Sequence, residues 1–323
     1  MNKLRLRATI LAFTAAFAPV AATAQDFPAR PVRIIVPFPP SGVADILGRV
    51  LAPPLARALG QGVIVENRPG ANTVIGAELV ARAPADGHTL LIMAPSFTIN
   101  AAARSKLPYD TLKDFTGITR IVSTALVIAA HPSLPAKSLK DLVALARPRP
   151  GELTFATASI LGGQRLAAEQ FADAAKIRLT NVPYNGGAPA TMAAVGGHTT
   201  MVVANVAEVA PQIEAGKLRA LAVTTLARSE VLKDVPTVAE SGFPGFEAAN
   251  WFGAVARATT PKNAIDRLNA EIGRALQLQE VKDTLGRQGL FPAATTPAGF
   301  DAIIRREVEV NGRIIARLNL RVE

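Results

Sequence analysis

Residues 30–60 read RPVRIIVPFPPSGVADILGRVLAPPLARALG, and the reading of this stretch decides the architecture. Val32, Ile34, Ile35 and Val36 form a short β-branched run, the pattern of a buried strand. Pro37, Pro39 and Pro40 end it, because proline offers no N–H to a ladder. Ser41-Gly42 lets the chain turn, and from Ala44 the residues Ile46, Leu47, Val50, Leu51, Leu55 and Leu59 recur at helical spacing until Gly60. A strand followed by a tight polar loop and a helix start aims free backbone N–H groups and a positive dipole end beyond the strand, which suits an anion. The alternative is a plain α/β junction with no ligand. Pro53-Pro54 predicts a break near Ala52 and a restart, since proline inside a helix costs roughly 3 kcal/mol.

The N-terminus reads as an export signal. Lys3, Arg5 and Arg7 precede the small, apolar run Ala8–Val20, and Ala22-Thr23-Ala24 gives a small-x-small cleavage pattern before Gln25. That run is short for a membrane span. Cleavage would remove 24 of 323 residues and leave 299, in the periplasm. The charge would fall from +10 to +7, because three basic residues leave and no acidic one does. The chain has no cysteine, so no disulfide framework and no lipid-anchoring cysteine are available, and stability must come from a core. A chain of this length with 49% hydrophobic residues points to two domains. Aromatics are 5% and no basic block reaches five residues, which argues against a nucleic-acid partner. The mild positive excess is compatible with steering small anions.

Further along, Gly62–Glu66 reads as a strand, Asn67–Ala71 as a turn, Ile75–Arg82 as a helix and Thr89–Met93 as a strand. This β-α-β-α-β order predicts a parallel sheet covered by helices. Ligands of such sheets sit beyond the carboxyl ends of the strands. Those ends are Pro37–Gly42 and Ala94–Thr98, the latter carrying Ser96 and Thr98. The blocks ARPVRIIVPFPPSGVAD, VENRPGANTVIGAELVARAPADGHTLL, LPYDTLKDF, HPSLPAKSLKDLVALA, VPYNGGAPA, AGKLRALAVTT, DVPTVAESGFPGFE and WFG follow in order along nearly the whole chain. Together they resemble the substrate-binding receptors of tripartite tricarboxylate transporters, the Bug-type receptors. The resemblance implies an α/β fold of the two-domain, type II-like periplasmic-binding-protein class, closing over a small organic anion, a carboxylate, in a cleft between the domains. It also implies membrane transporter subunits as partners, a monomer, and no cofactor.

The second half supplies the other wall. Ser138-Leu139-Lys140-Asp141 is a capping box ahead of a helix that ends at Pro148. Leu153–Ala156 reads as a strand, Thr157–Gly163 as a loop and Arg165–Ala175 as an amphipathic helix. Asn181–Tyr184 ends a strand, and Asn185–Pro189 leads into a helix over Ala190–Val195. Thr200–Ala204 and Ala220–Thr224 are strand-like. Chain crossings near Ser123 and Ala248 divide the protein into residues 25–123 plus 249–323 and residues 124–248. The later part of the first unit holds Trp251-Phe252-Gly253, a helix over Pro261–Leu276 and a last helix around Pro297–Ile315.

A ligand carboxylate is expected near Pro40–Asp45, on the backbone N–H groups of Ser41, Gly42 and Val43. Asp45, in the first helical turn, is expected to organise the loop first and touch ligand second. Across the cleft, Thr157, Ser159, Tyr184, Gly186 and Pro189 stand at matched family positions, Ser96 and Thr98 complete the wall, and Arg165 is a second cation. The competing reading is local: Tyr184 packs, Ser159 caps and Arg165 is solvated. The chain departs from the family pattern where Ser159 and Leu161 replace glycines, Arg165 replaces histidine, and Thr200 and Ala204 replace frequent aspartates. The last loss disfavours an amino-acid ligand. His88, His131 and His198 have no metal-type spacing, His88 reading as a packing residue, and no G-x-S-x-G elbow is present, so neither a metal site nor an enzyme is expected. A receptor feeding a sensor kinase and a periplasmic enzyme acting on a small acid are the alternatives.

Overall fold

The computed structural model describes residues 27–104 and 106–320. The expected leader and its Gln25 junction lie outside the described residues. The first lobe opens with β1 (Val32–Val36), α1 (Val43–Leu59), β2 (Val63–Asn67), α2 (Val74–Ala81), β3 (Thr89–Met93) and α3 (Ser96–Ala103). The long strand β4 (Phe115–Ala130) leads into the second lobe. There follow α4 (Leu139–Ala146), β5 (Thr154–Thr157), α5 (Gly163–Ala175), β6 (Thr180–Pro183) and α6 (Gly187–Val195). Next come β7 (Met201–Asn205), α7 (Val206–Glu214) and β8 (Arg219–Val223). Strand β9 (Ala249–Arg257) returns the chain, and α8 (Lys262–Gln277), α9 (Gln279–Gly286), β10 (Phe291–Pro292) and α10 (Pro297–Arg317) complete the first lobe.

As the β-α-β-α-β order predicts, β1 pairs in parallel with both β2 and β3. The sheet runs β2-β1-β3-β9-β4-β7-β5-β6, with β8 and β10 also on β4. Strand β4 is the spine, which sequence reading did not find. Its first part pairs with β9, from Phe115 opposite Arg257 to Ala125 opposite Ala249. Its last part pairs with β7 and β8, where Val127 faces both Ala204 and Val223. The crossings expected at Ser123 and Ala248 therefore fall within β4 and one residue before β9.

Strand alternation builds the cores. Ile34 packs under α1 and α8 with Leu47, Leu51, Leu55, Ile265 and Leu268. Its neighbour Ile35 faces the opposite side, with Leu91, Phe97, Trp251 and Phe300. In the second lobe Ile128, Phe155 and Phe171 form one core, and Val127, Ala156 and Val209 the other.

Helix α1 runs unbroken through Pro53 and Pro54, contrary to the expected break near Ala52. Pro53 lies on the exposed face, while Leu47, Leu51 and Leu55 are buried on both sides of the pair. Burying a leucine contributes about 1.5–3 kcal/mol, so three of them offset a cost of roughly 3 kcal/mol for each of the two prolines.

Candidate functional site

The β1–α1 junction is held by an acid in the first helical turn. Ser41 adopts a left-handed backbone at φ 71°, and Gly42 caps α1 with extended backbone. Asp45 Oδ2 accepts the Ser41 N–H at 3.0 Å, Arg49 Nε donates to the same carboxylate, and Asn67 Nδ2 donates to Oδ1 at 3.0 Å. Burial alone would raise this carboxyl, but the bonds from Arg49, Ser41 and Asn67 outweigh it and leave Asp45 below the ordinary carboxylate range. Ser41 therefore has its N–H committed to Asp45, which corrects its expected place among the ligand donors. Asp45 has the organising role and does not line the cleft, whereas Pro40, Gly42 and Val43 do.

Strand β3 ends at a second helix start. The residues after it, from Ser96, form α3. Residues two apart on a helix point about 200° away from each other. Ser96 accordingly faces the cleft with a buried hydroxyl that has no partner among the described residues. Thr98 turns the other way, donating to Pro95 O at 3.0 Å and accepting from Asn311 Nδ2 of α10 at 3.2 Å. Thr98 belongs to the packing of the first lobe and not to the wall.

The second lobe brings two more helix starts, those of α5 and α6, through Gly163 and Gly187. Ser159, Gly186 and Pro189 line the cleft. Thr157 is buried beneath it, where its hydroxyl lies 2.8 Å from Asn181 Oδ1 and 2.9 Å from Ser159 O, tying β5 to β6. Tyr184 lines the wider mouth outside, beside Asn72 and Ile160. Arg165 does not reach in as a second cation: Nη1 donates to Ile160 O at 2.6 Å and Nε faces Glu169 one turn on. Leu161, at a family glycine position, is buried with Ile99, Leu166 and Ile315, so it joins the two lobes by apolar contact.

Four polar side chains of the lining escaped sequence reading: Gln164, Asn205, Glu208 and Asn250. Glu208 Oε2 accepts from Asn205 N at 3.0 Å, Asn205 Nδ2 at 2.9 Å and Gln164 Nε2 at 3.2 Å. Asn250 Nδ2 donates to Asn205 Oδ1 at 2.7 Å, leaving its own Oδ1 buried and without a partner among the described residues. Burial pushes the Glu208 carboxyl above its usual range, against the pull of the Asn205 and Gln164 donors. Asn205-x-x-Glu208 directly after the apolar run Met201–Ala204 has capping-box spacing and was legible as a helix start. Nothing in the spacing said that this start faces a ligand. Thr200 and Ala204 do not line the cleft, Thr200 bonding Thr154 and Ala204 lying in a core. The aspartates missing there thus say nothing about ligand charge, and the argument against an amino-acid ligand lapses.

The cleft holds about 580 Å³ of empty space, counting that open to solvent. First turns of α1, α3, α5 and α6 meet in it, and no side chain caps any of the four. First-turn N–H groups lack partners within their own helix. Glu208 is the ionisable side chain among the lining residues, and no lysine, arginine or histidine is among them. Among the described residues no group of three or more His, Cys, Asp or Glu is arranged to hold a metal ion, and no helix is long and apolar enough to cross a membrane.

The chain as a whole is similar to known proteins. The sequence profile of the tripartite tricarboxylate transporter family receptor matches residues 47–320. BugT of Bordetella pertussis is 36% identical over 312 residues, covering 96% of each chain. The solved structure described as R. palustris Rpa4515 with adipate is 32% identical and superposes with a TM-score of 0.87, covering 91% of this chain and 99% of that one. MatC of Rhodopseudomonas palustris, solved with bound malate, is 28% identical with a TM-score of 0.84, covering 90% and 100%. The chain is a two-domain periplasmic-binding-protein fold and belongs to the tripartite tricarboxylate transporter receptor family.

Proposed function

We propose that this protein is an extracytoplasmic receptor that captures a small carboxylate between its lobes and delivers it to a tripartite tricarboxylate-type membrane transporter. One observation carries the reading. Among the described residues, four helix N-termini without side-chain caps meet in a cleft lined by no basic side chain, beside a Ser96 hydroxyl without a partner. An anion there is held by backbone N–H groups and dipole ends, each contributing about 0.3–1 kcal/mol at an exposed site and up to ~2 kcal/mol when partly buried. The relatives solved with adipate and malate support a carboxylic acid as the class of solute. The carboxylate rests on Gly42 and Val43 from the first lobe, and Ser159, Gly186 and Pro189 close over it from the second. The lobes hinge near Ser123 and Ala248. No catalytic step is assigned to any residue.

Calorimetric titration of the purified mature protein against C2–C6 mono-, di- and tricarboxylates tests this, with product analysis of the same samples. Binding of at least one acid, unchanged on recovery, is the expected result. Failure of every carboxylate to bind, or turnover of one, sinks the receptor reading.

A further inference from the structure

We infer that Glu208 makes this cleft select carboxylates that also carry a hydrogen-bond donor, an amide, hydroxyl or ammonium group, and reject those that place a second carboxylate against it. The inference rests on the carboxylate reading and adds a determinant of specificity. Its basis is the geometry of one side chain. All three protein donors, Asn205 N, Asn205 Nδ2 and Gln164 Nε2, go to Oε2. Oε1 receives none from the described residues, and the whole carboxyl lies against the first residue of α6, where a β-carbon on Gly187 would collide with Oε1, Cδ and Oε2 alike. Glycine at 187 is what lets the acid occupy that place.

The polarity of the site is therefore divided. The helix starts favour negative charge, while Oε1 is an acceptor with nothing to accept. Among the described residues no lysine, arginine or histidine lines the cleft to neutralise a second ligand carboxylate beside Glu208. Two carboxylates brought together in a shielded site repel unless a proton or cation intervenes. A donor on the ligand instead supplies the missing bond.

Isosteric ligands read the effect directly. Succinate, glutarate and adipate are each compared with their monoamides, succinamate, glutaramate and adipamate, by calorimetry at one pH and ionic strength. At the chain length that fits, the monoamide is expected to bind the parent at least about tenfold more tightly than the diacid. Glu208→Gln, whose amide can present a donor, is expected to abolish or invert that ratio. Diacids binding the parent as tightly as monoamides at every length overturn the inference, as does a ratio that survives Glu208→Gln. The parent's own ratio keeps the test decisive should the variant fail to fold. If neither series binds, the carboxylate reading falls and this inference with it; if only the diacids bind, this inference falls alone.

Discussion

Asn72 Nδ2 donates to the carbonyl oxygen of Leu161 at 2.7 Å, and that bond fastens the loop before α2 to the loop before α5 in the other lobe. Asn72 sits between Ala71 and Thr73 in a run of left-handed backbone, with φ of 47°, 56° and 76° across the three. Such residues cost of order 1–3 kcal/mol each and persist only where neighbours hold them. Here Asn100 does so, donating to Asn72 O at 2.8 Å. The latch stands at the cleft mouth, beside the buried contact of Leu161 with Ile99 and Ile315.

Asn72→Asp keeps the shape and the tolerance for left-handed backbone but turns the donor into an acceptor facing two others, Leu161 O and Asn100 Oδ1, to which Asn72 Nδ2 donates at 2.7 and 2.8 Å. Ligand affinity should fall at least about tenfold, and small-angle scattering of the liganded protein should give a larger radius of gyration than the parent. An unchanged radius would show that the bond does not hold the lobes together.

Gly42 tests where the carboxylate sits. An added β-carbon would meet only Pro39 O, at 3.9 Å, so Gly42→Val fits the fold while projecting into the cleft. Valine is a poorer cap than glycine by about 1 kcal/mol, a loss of roughly 2–4 °C in melting temperature. Affinity should drop at least about tenfold, or roughly 1.4 kcal/mol. Parental affinity in this variant would put the site elsewhere.

Asp45 and Arg49 form an ion pair whose two halves should behave unequally. Asp45 is buried and accepts from Ser41, Arg49 and Asn67, whereas the Arg49 side chain is 57% exposed. Asp45→Ala leaves the Ser41 N–H without its acceptor, so a destabilisation of about 2 kcal/mol and weakened ligand binding are expected. Arg49→Ala should cost less than about 1 kcal/mol, as exposed pairs do. Equal losses in chemical denaturation would contradict the organising role of Asp45.

Acid should erase one particular contribution to stability. Arg33 holds Glu66 through two bonds of 2.7 and 3.0 Å and Arg68 adds a third, lowering the Glu66 carboxyl to about 2. A carboxyl depressed in the folded state stabilises above its unfolded value of 4.5 and loses that effect as pH falls through about 2. The gap in melting temperature between the parent and Glu66→Gln should be full at pH 7, narrow below pH 4.5 and close near pH 2. A gap independent of pH would exclude this ion cluster as its source.

Local chemistry determined much of this protein from the sequence alone. The β-branched run before Pro37, the helical period after Ala44 and the β-α-β order are short-range patterns. They specified the parallel β1–β2 and β1–β3 pairs and the glycine-bearing helix starts that line the cleft. Asp45 was legible as an organiser because a carboxylate in a first turn finds free N–H groups nearby. Other features depended on contacts distant in sequence. Strand β4 spans both lobes because β9, β7 and β8 supply its partners from 70 or more positions away. Thr98 and Arg165 left the site because a helix turns about 100° per residue and because Glu169 and Ile160 O were nearer partners than any ligand. Glu208 went unread in the sequence and joined the site only where the fold laid Gln164 and Gly187 against it, since which helix start faces which is fixed by the packing of the two lobes and not by the residues on either side.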